Sequence, residues 1–507
     1  MFPNIRSFVI VAVLFSSLSS LALAASLSLS PPSGPPASRS KATGSGFSAD
    51  ENVTLTFDTA AIGTASADAS GNFSLSFVVP KSAQPGRHTV QASGQSSGTT
   101  ASAVFTVQSN WPAFKNSSAR TSVNPSENTI NLSNAKFLAL AWQGQMGDLV
   151  DSSSPAIVNG VVYVGSFDGK LYSFNANGCA SQTLCQSLWS GATGNDITSS
   201  PAVANNVVYI GSADHKLYAF NAKGCGQSTC APLWTGSTGQ GIIESSPLVV
   251  NGVVYVGSFD KKFYAFPAAG CGQSSCAPLW TATTGGEITS SPAFANGVVY
   301  IGSGDGKLYA FSAAGCGSST CSPLWTAQAG SSIMQSSPAV ANGVVYIGSF
   351  DKDLYAFNAS GCGAATCLPL WTGTTGPFVS SSPAVANGVV YVGDGDALFY
   401  AFNASGCGAS SCAPLWTGQA NGSQAAIVSA PAVAGGVVYV SENNGMVMVF
   451  NANGCGTSFC LPLNQLLTNN EPIVSSSPAV VNGSVYVGSA DQAQAPIGRL
   501  YVYKLRN

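Results

Sequence analysis

Residues 336–376 read SSPAVANGVVYIGSFDKDLYAFNASGCGAATCLPLWTGTTG. Turn signals cut this stretch into four short runs rich in β-branched and aromatic residues, which predicts four strands. Strand A is Ser336-Ser337-Pro338-Ala339-Val340. Asn342-Gly343 tolerates positive φ and makes a tight hairpin, so strand B, Val344-Val345-Tyr346-Ile347-Gly348, lies beside it. A turn centred on Asp351 leads to strand C, Leu354-Tyr355-Ala356-Phe357, and a loop with two cysteines leads to strand D, Leu370-Trp371-Thr372.

The unit repeats. Its Ser/Ala-Pro dipeptide recurs at Pro155, Pro201, Pro247, Pro292, Pro338, Pro383, Pro431 and Pro478, at intervals of 45–48 residues. Four strands per unit at a fixed period predict sheets packed radially, an all-β, eight-bladed β-propeller with four-stranded blades. Strand D is carried by Trp189, Trp234, Trp280, Trp325, Trp371 and Trp416, with Leu463 as a degenerate seventh. The eighth unit breaks off after strand C, Leu500-Tyr501-Val502-Tyr503, while an orphan D-type strand, Phe137 to Trp142, precedes the first unit. The two are expected to complete one blade, so that N- and C-terminal strands close the ring and leave no free sheet edge.

Upstream, residues 26–108 are free of cysteine, and period-two runs at 53–57, 73–77, 88–92 and 103–107 predict half-buried antiparallel strands of a small β-sandwich. Residues 109–135 read as a linker or lead-in segment, and 136–507 as the propeller. Residues 1–25 read as a secretory signal: Arg6, a largely apolar run from Ser7 to Leu21, and a small-residue Ala22-Leu23-Ala24 site. Serines at 16, 17, 19 and 20 interrupt the run and favour cleavage over a retained anchor. No cysteine follows closely, the first being Cys179, so no lipid anchor is expected; no later stretch is long and apolar enough to span a bilayer. The mature chain is expected to be secreted, periplasmic or extracellular.

The fourteen cysteines fall in seven close pairs: Cys179-Cys185, Cys225-Cys230, Cys271-Cys276, Cys316-Cys321, Cys362-Cys367, Cys407-Cys412 and Cys455-Cys460. An even count at regular spacing in an exported chain reads as disulfides, and the spacing is not that of a zinc knuckle or redox pair. The 507 residues carry only 8% charged side chains, against roughly 25% in a typical soluble protein. A net charge of −3 gives no reason to expect nucleic acid as a partner. His88 and His215 stand far apart, which leaves little room for a histidine-based metal site or a Ser-His-Asp triad; His88 alternates with strand residues and reads as structural.

The S-P-A-V start, V-V-Y-V-G strand, D-G-K-L-Y-A-F run and closing L-W-T of these units resemble the quinoprotein-type (PQQ-binding-like) β-propeller repeat, shared by PQQ-dependent alcohol dehydrogenases and the outer-membrane assembly propellers. Residues 110–142 resemble the lead-in of that family. The resemblance implies that Trp142, Trp189, Trp234, Trp280, Trp325, Trp371 and Trp416 dock between neighbouring blades, with Asn464 departing from the pattern. It does not carry the chemistry: no two cysteines here are adjacent, as quinoprotein dehydrogenases require, and no unique cluster of acid, amide and arginine stands out. The segments GSGF, ENVTLTF, ASGNFSLSF and PGRHTVQASG of the first domain resemble bacterial immunoglobulin-like modules, which serve as spacers or adhesive elements.

Asp168, Asp214, Asp260, Asp305, Asp351 and Asp396 recur in the B–C turns, where turn formation is the plainer role and calcium binding the sharper one; Ca²⁺ needs six to eight oxygens, and even Asp394-Gly395-Asp396 falls short. The tryptophans could stack a planar ligand, though their blade-wide period favours packing. B–C turns and D–A connections share one face, the cysteine loops the other. The first face varies most between units and carries Phe167, Phe259 and Phe350, aromatic anchors of the kind found at binding hot spots. It is therefore the candidate binding face. The chain reads as an exported, non-catalytic, monomeric binding or scaffold protein for a protein or glycan, with no cofactor expected. The alternatives are a quinoprotein-like dehydrogenase using PQQ and calcium, and a cell-surface adhesin.

Overall fold

The computed structural model describes residues 24–180, 182–420, 423–468, 472–473, 475–491 and 497–506. The signal segment expected at 1–25 lies almost wholly outside the described residues. Two compact units divide at Val107/Gln108.

The first unit is a two-sheet sandwich. One sheet pairs Ser26–Ser30 and Phe73–Val78 on either side of Arg39–Ser45; the other runs Ser33–Gly34, Thr100–Val107, Gly86–Gly94, Asn52–Phe57, Ala60–Ser66. Alternation along Asn52–Phe57 turns Val53, Leu55 and Phe57 inward, onto a core with Phe73, Phe77 and Phe105. His88 is structural: its ring lies 4.9 Å from that of Phe57, Nδ1 is 2.8 Å from Asp58 and Nε2 is 2.7 Å from the Gln84 carbonyl.

The second unit holds, among the described residues, eight sheets of repeating design. In the fifth, strand A is Ala339–Ala341, B Val344–Gly348, C Asp353–Asn358 and D Trp371–Thr374, all antiparallel, with Ala339 opposite Tyr346, Ile347 opposite Tyr355 and Ala356 opposite Trp371. Asn342 and Gly343 both take positive φ, 50° and 79°, as the hairpin requires. Each core forms between neighbouring sheets: Tyr209, Leu217 and Trp234 of one pack against Val254, Val256 and Phe266 of the next. Because both faces of every sheet are covered, strands B and C are apolar along their length rather than alternating.

The eighth sheet joins distant parts of the chain. Leu138–Gln145 runs antiparallel to Ile497–Leu505, with Leu138 opposite Leu505, Trp142 opposite Val502 and Gln143 opposite Tyr501. This is the closure the orphan strand predicts. Among the described residues no helix is long and apolar enough to cross a membrane.

Residues 109–135 are not a free linker. They belong to the second unit, and residues 111–124 bond to strand A of successive sheets.

Candidate functional site

The residue before each repeat proline, serine in seven units and Ala430 in the other, links neighbouring sheets around the axis. The N–H of Ser154 donates to Ser200 Oγ at 2.9 Å, Ser200 to Ser246 at 3.0 Å, Ser246 to Ser291 at 2.9 Å, Ser291 to Ser337 at 2.8 Å and Ser337 to Ser382 at 2.8 Å. Ala430 lacks the hydroxyl, and Ser381 Oγ bridges to the Ser429 carbonyl instead. Ala430 N–H then donates to Ser477, and Ser477 N–H back to Ser154, both at 2.8 Å. Eight positions thus form a closed belt, so a serine that looks like a strand-start residue also locks each sheet to the next.

Residues 111–124 plug this axis. Trp111 bridges to Ile157, the Pro112 carbonyl accepts from Val203, and the carbonyls of Ser118, Ala119, Thr121 and Ser122 accept from Phe294, Val340, Val385 and Val433. Asn124 Nδ2 donates to the Val480 carbonyl. Arg120, fully buried, donates to the carbonyls of Phe114, Ser246, Pro247 and Pro292. Lys115 is buried beside it, with Nζ 3.2 Å from the Ser337 carbonyl. Burial pushes both cations down, Lys115 well below the ordinary lysine range and Arg120 to about 9. Among the described residues neither forms an ion pair with an acid.

Past the serine belt lie Glu244 and Gln335, which stand where most units have Ser or Thr before Ser-Ser-Pro. Both take left-handed φ, 60° and 65°. Gln335 Nε2 donates to Glu244 Oε1 at 2.9 Å, two units away. Burial, with the Asp151 charge nearby, pushes Glu244 up to about 7 despite that bond. Asp151 is likewise raised by burial. The space left among these groups is about 40 Å³.

The repeated turn aspartates are held internally. Asp168, Asp214, Asp260, Asp305 and Asp351 accept a tyrosine O–H from their own strand C, Asp168 from Tyr172 and Asp351 from Tyr355 at 2.6 Å. The Gly194, Gly239 and Gly285 N–H groups of preceding D–A connections also reach Asp214, Asp260 and Asp305. Each turn is thereby stapled to its neighbour. In the sixth unit the role passes to Asp394, which is buried and bonds Tyr400 and Gly376 N–H, both at 2.9 Å. Asp396, the residue the repeat spacing singles out, is exposed instead. The turn has the same length as in the other units, and Asp394 stands at the place that Ser349 holds in the fifth, so an acid two positions earlier reaches the tyrosine and takes over the role. Phe167 and Phe259 are half-buried on this face, and Phe350 is 37% exposed, its ring 5.6 Å from that of Phe378.

The tryptophans fill the seams between sheets. Trp189 lies 6.1 Å from Tyr163 of its own sheet and 6.5 Å from Phe220 of the next, and a Cβ on Gly224 would meet its ring at 2.6 Å. Gly178 faces Trp142 in the same way, and Gly270, Gly315, Gly361, Gly406 and Gly454 face Trp234 to Trp416. Asn464 instead donates to the carbonyls of Ala135 and Leu138. All seven cysteine pairs are joined, with Cα separations of 5.5–5.7 Å. Their loops do more than decorate a face: Ser411–Cys412 adds a parallel strand to Thr372–Gly373 of the preceding sheet, and Leu184–Cys185 does so to Gln143–Gly144.

Lys115, Arg120, Glu244 and Gln335 escape a reading of the sequence by motif. Their signal is a break in pattern: two of the rare charges in a segment that looks like linker, and two departures from Ser or Thr at one repeat position. PQQ does not fit the axis. A space of about 40 Å³ is far smaller than a tricyclic quinone bearing three carboxylates. Among the described residues no three His, Cys, Asp or Glu side chains gather to hold a metal ion.

Comparison with known proteins follows this geometry. A family model described as outer membrane protein assembly factor BamB matches residues 87–269 and 272–507, and a macroglobulin-like domain model matches residues 24–107. No curated protein matches the chain. Among solved structures, BamB from Moraxella catarrhalis is 18% identical, covering 73% of this chain and 98% of its own, with a TM-score of 0.54. The quinohemoprotein alcohol dehydrogenase from Comamonas testosteroni is 14% identical, covering 78% and 80%, with a TM-score of 0.59. The computationally designed Ika8 protein is 16% identical, covering 71% and 98%, with a TM-score of 0.53. At these identities the likeness is one of fold: an all-β propeller preceded by an immunoglobulin-type module.

Proposed function

We propose, from the premise that this chain belongs to the family described as outer membrane protein assembly factor BamB, that it is an exported, non-catalytic propeller that binds a protein or glycan through its B–C and D–A face. One observation carries this reading: the axis, where a propeller could house a cofactor, is filled by the chain's own residues 111–124. The stapled aspartates leave the turn face rigid, with Phe167, Phe259 and Phe350 at its turns. Rigid aromatic side chains suit recognition because little conformational entropy is lost when a partner covers them. The first unit then serves as a spacer.

The test is a triple variant, F167A/F259A/F350A, compared with the wild-type chain on a panel of peptides and a panel of glycans. Loss of binding by tenfold or more at unchanged circular dichroism is the expected result; equal binding by both forms refutes the face. Adding PQQ and Ca²⁺ with an alcohol and following dye reduction checks the dehydrogenase reading, for which no turnover is expected.

A further inference from the structure

On the opposite face, neighbouring sheets leave grooves. Each has strand B of one unit as its floor and the A–B turn and end of strand C of the next unit as its wall. Between units one and two the groove is a cavity of about 400 Å³, lined by Val161, Tyr163, Val203, Asn205 and Ala222 among others. Between units three and four a cleft of about 750 Å³ is bounded by Tyr255, Trp280, Gly297, Cys316 and Leu279, the last 51% exposed.

At the junction of units seven and eight the chain fills this place itself. Ile130 is fully buried in a cluster with Val437, Tyr439, Val480 and Val481, the counterparts by repeat position of Val161, Tyr163, Val203 and Ala204. Glu127 anchors the segment: one carboxylate oxygen accepts the Gly483 N–H of the wall turn at 3.1 Å, and the other accepts the N–H of Thr129 and Ile130 at 2.9 and 3.0 Å. Gly435 stands where other units carry Asn, and a Cβ there would run into the Ile130 carbonyl. Burial records the difference. The first residue of strand B is half-buried at Val161, Val207, Val253, Val298, Val344 and Val389, and fully buried at Val437 beneath the segment.

We infer that the uncovered grooves between units one and seven dock a short polypeptide segment of a partner protein, one with a carboxylate three residues before a branched aliphatic side chain. The chain's own Glu127-Asn128-Thr129-Ile130 shows the fit. The aliphatic group covers the valine and tyrosine of strand B, and the carboxylate meets the N–H of the next A–B turn, presented by Gly252, Gly297, Gly343 and Gly388 at the equivalent positions. The surface is separate from the aromatic turn face.

The probe is the peptide SENTINLSNA, residues 126–135, labelled and titrated into the full-length protein. Saturable binding in the millimolar range or tighter is expected, weakened about tenfold when the isoleucine is replaced by aspartate and less when the glutamate is replaced by glutamine. A photo-crosslinker at the isoleucine position should label strand B residues of units one to six. No saturable binding, equal binding of the aspartate peptide, or labels on the B–C turns overturn the proposal. So do labels at Tyr439 alone, which would mean exchange with the built-in segment. Concentration-dependent dimers without peptide binding would assign the grooves to a second copy and overturn it as well.

Discussion

Lys115 and Arg120 lie side by side in the plug, yet their situations differ. Arg120 holds four carbonyls from three parts of the chain, whereas Lys115 Nζ has the Ser337 carbonyl as its described partner. A buried charge with so little compensation costs stability. K115M should therefore raise the urea midpoint, by about 1–2 kcal/mol of stability. R120M should lower it by about 3–5 kcal/mol, because four buried carbonyls lose their donor. Glu244 gives a pH signature. Its folded pKa of about 7 lies above the ordinary carboxylate value, so the folded state holds a proton that the unfolded chain releases. Stability from this group falls as pH rises from 4.5 towards 7, and the full cost is present above that. Asp151, also raised, adds in the same direction. E244Q should match wild type near pH 5 in thermal melts and exceed it by about 2 kcal/mol at pH 8, a discount on the full shift because Glu244 is only half-buried. The turn aspartates offer a paired comparison in urea. D260A leaves the Tyr264 O–H without its acceptor and the Gly239 N–H with the Tyr264 hydroxyl oxygen alone, and should cost about 1–3 kcal/mol. D396A removes an exposed side chain outside the staple and should stay within about 0.5 kcal/mol.

At the scale of elements, the cysteine loop ties its own strands together and caps the edge of the preceding sheet. A six-residue disulfide loop contributes about 2 kcal/mol in the chain-entropy account. C362S/C367S should lose about that much, and more if the loop also releases Thr326–Ala327, which it covers in parallel pairing; hydrogen exchange at those amides separates the two contributions. Strands B and C are plain in the sequence because Asn-Gly turns and apolar runs fix their limits to within a residue. Strand D begins at the tryptophan in units one to six, one residue after the leucine where the sequence pattern starts it, and at Asn464 in the seventh. Four strands of the first unit, Ser26–Ser30, Ser33–Gly34, Arg39–Ser45 and Ala60–Ser66, are not legible. The first does alternate, through Leu27 and Leu29, but it continues directly from the apolar run that reads as a signal; in the other three, serines, alanines and glycines give little apolar alternation, and their pairing depends on neighbours far along the chain. The plug is hidden for a related reason: its partners are backbone carbonyls and amides, which leave no trace in side-chain pattern.

For the whole molecule, repeat period and strand arithmetic reveal the ring and its shared last sheet, since the unit lacking strand D and the strand lacking a unit are both visible. What the arithmetic misses is how the centre is filled, because a repeat describes what the units share and the plug occurs once. Residues from every sheet meet it. Removing Ile497–Leu505 should expose both Leu138–Gln145 and Ser484–Asp491 as unpaired edges. The shortened chain is expected to bind a hydrophobic dye and to aggregate on gel filtration, and a monomeric, dye-silent product would contradict closure by that strand.

The shared sheet also sets a timetable. Leu138 emerges from the ribosome more than three hundred residues before its partner Leu505. Its hydrogen-bonding edge must wait through the synthesis of seven successive units. Contacts so distant in sequence are the slowest to form, so the circle is expected to close last, after the seven preceding sheets have each found their neighbours.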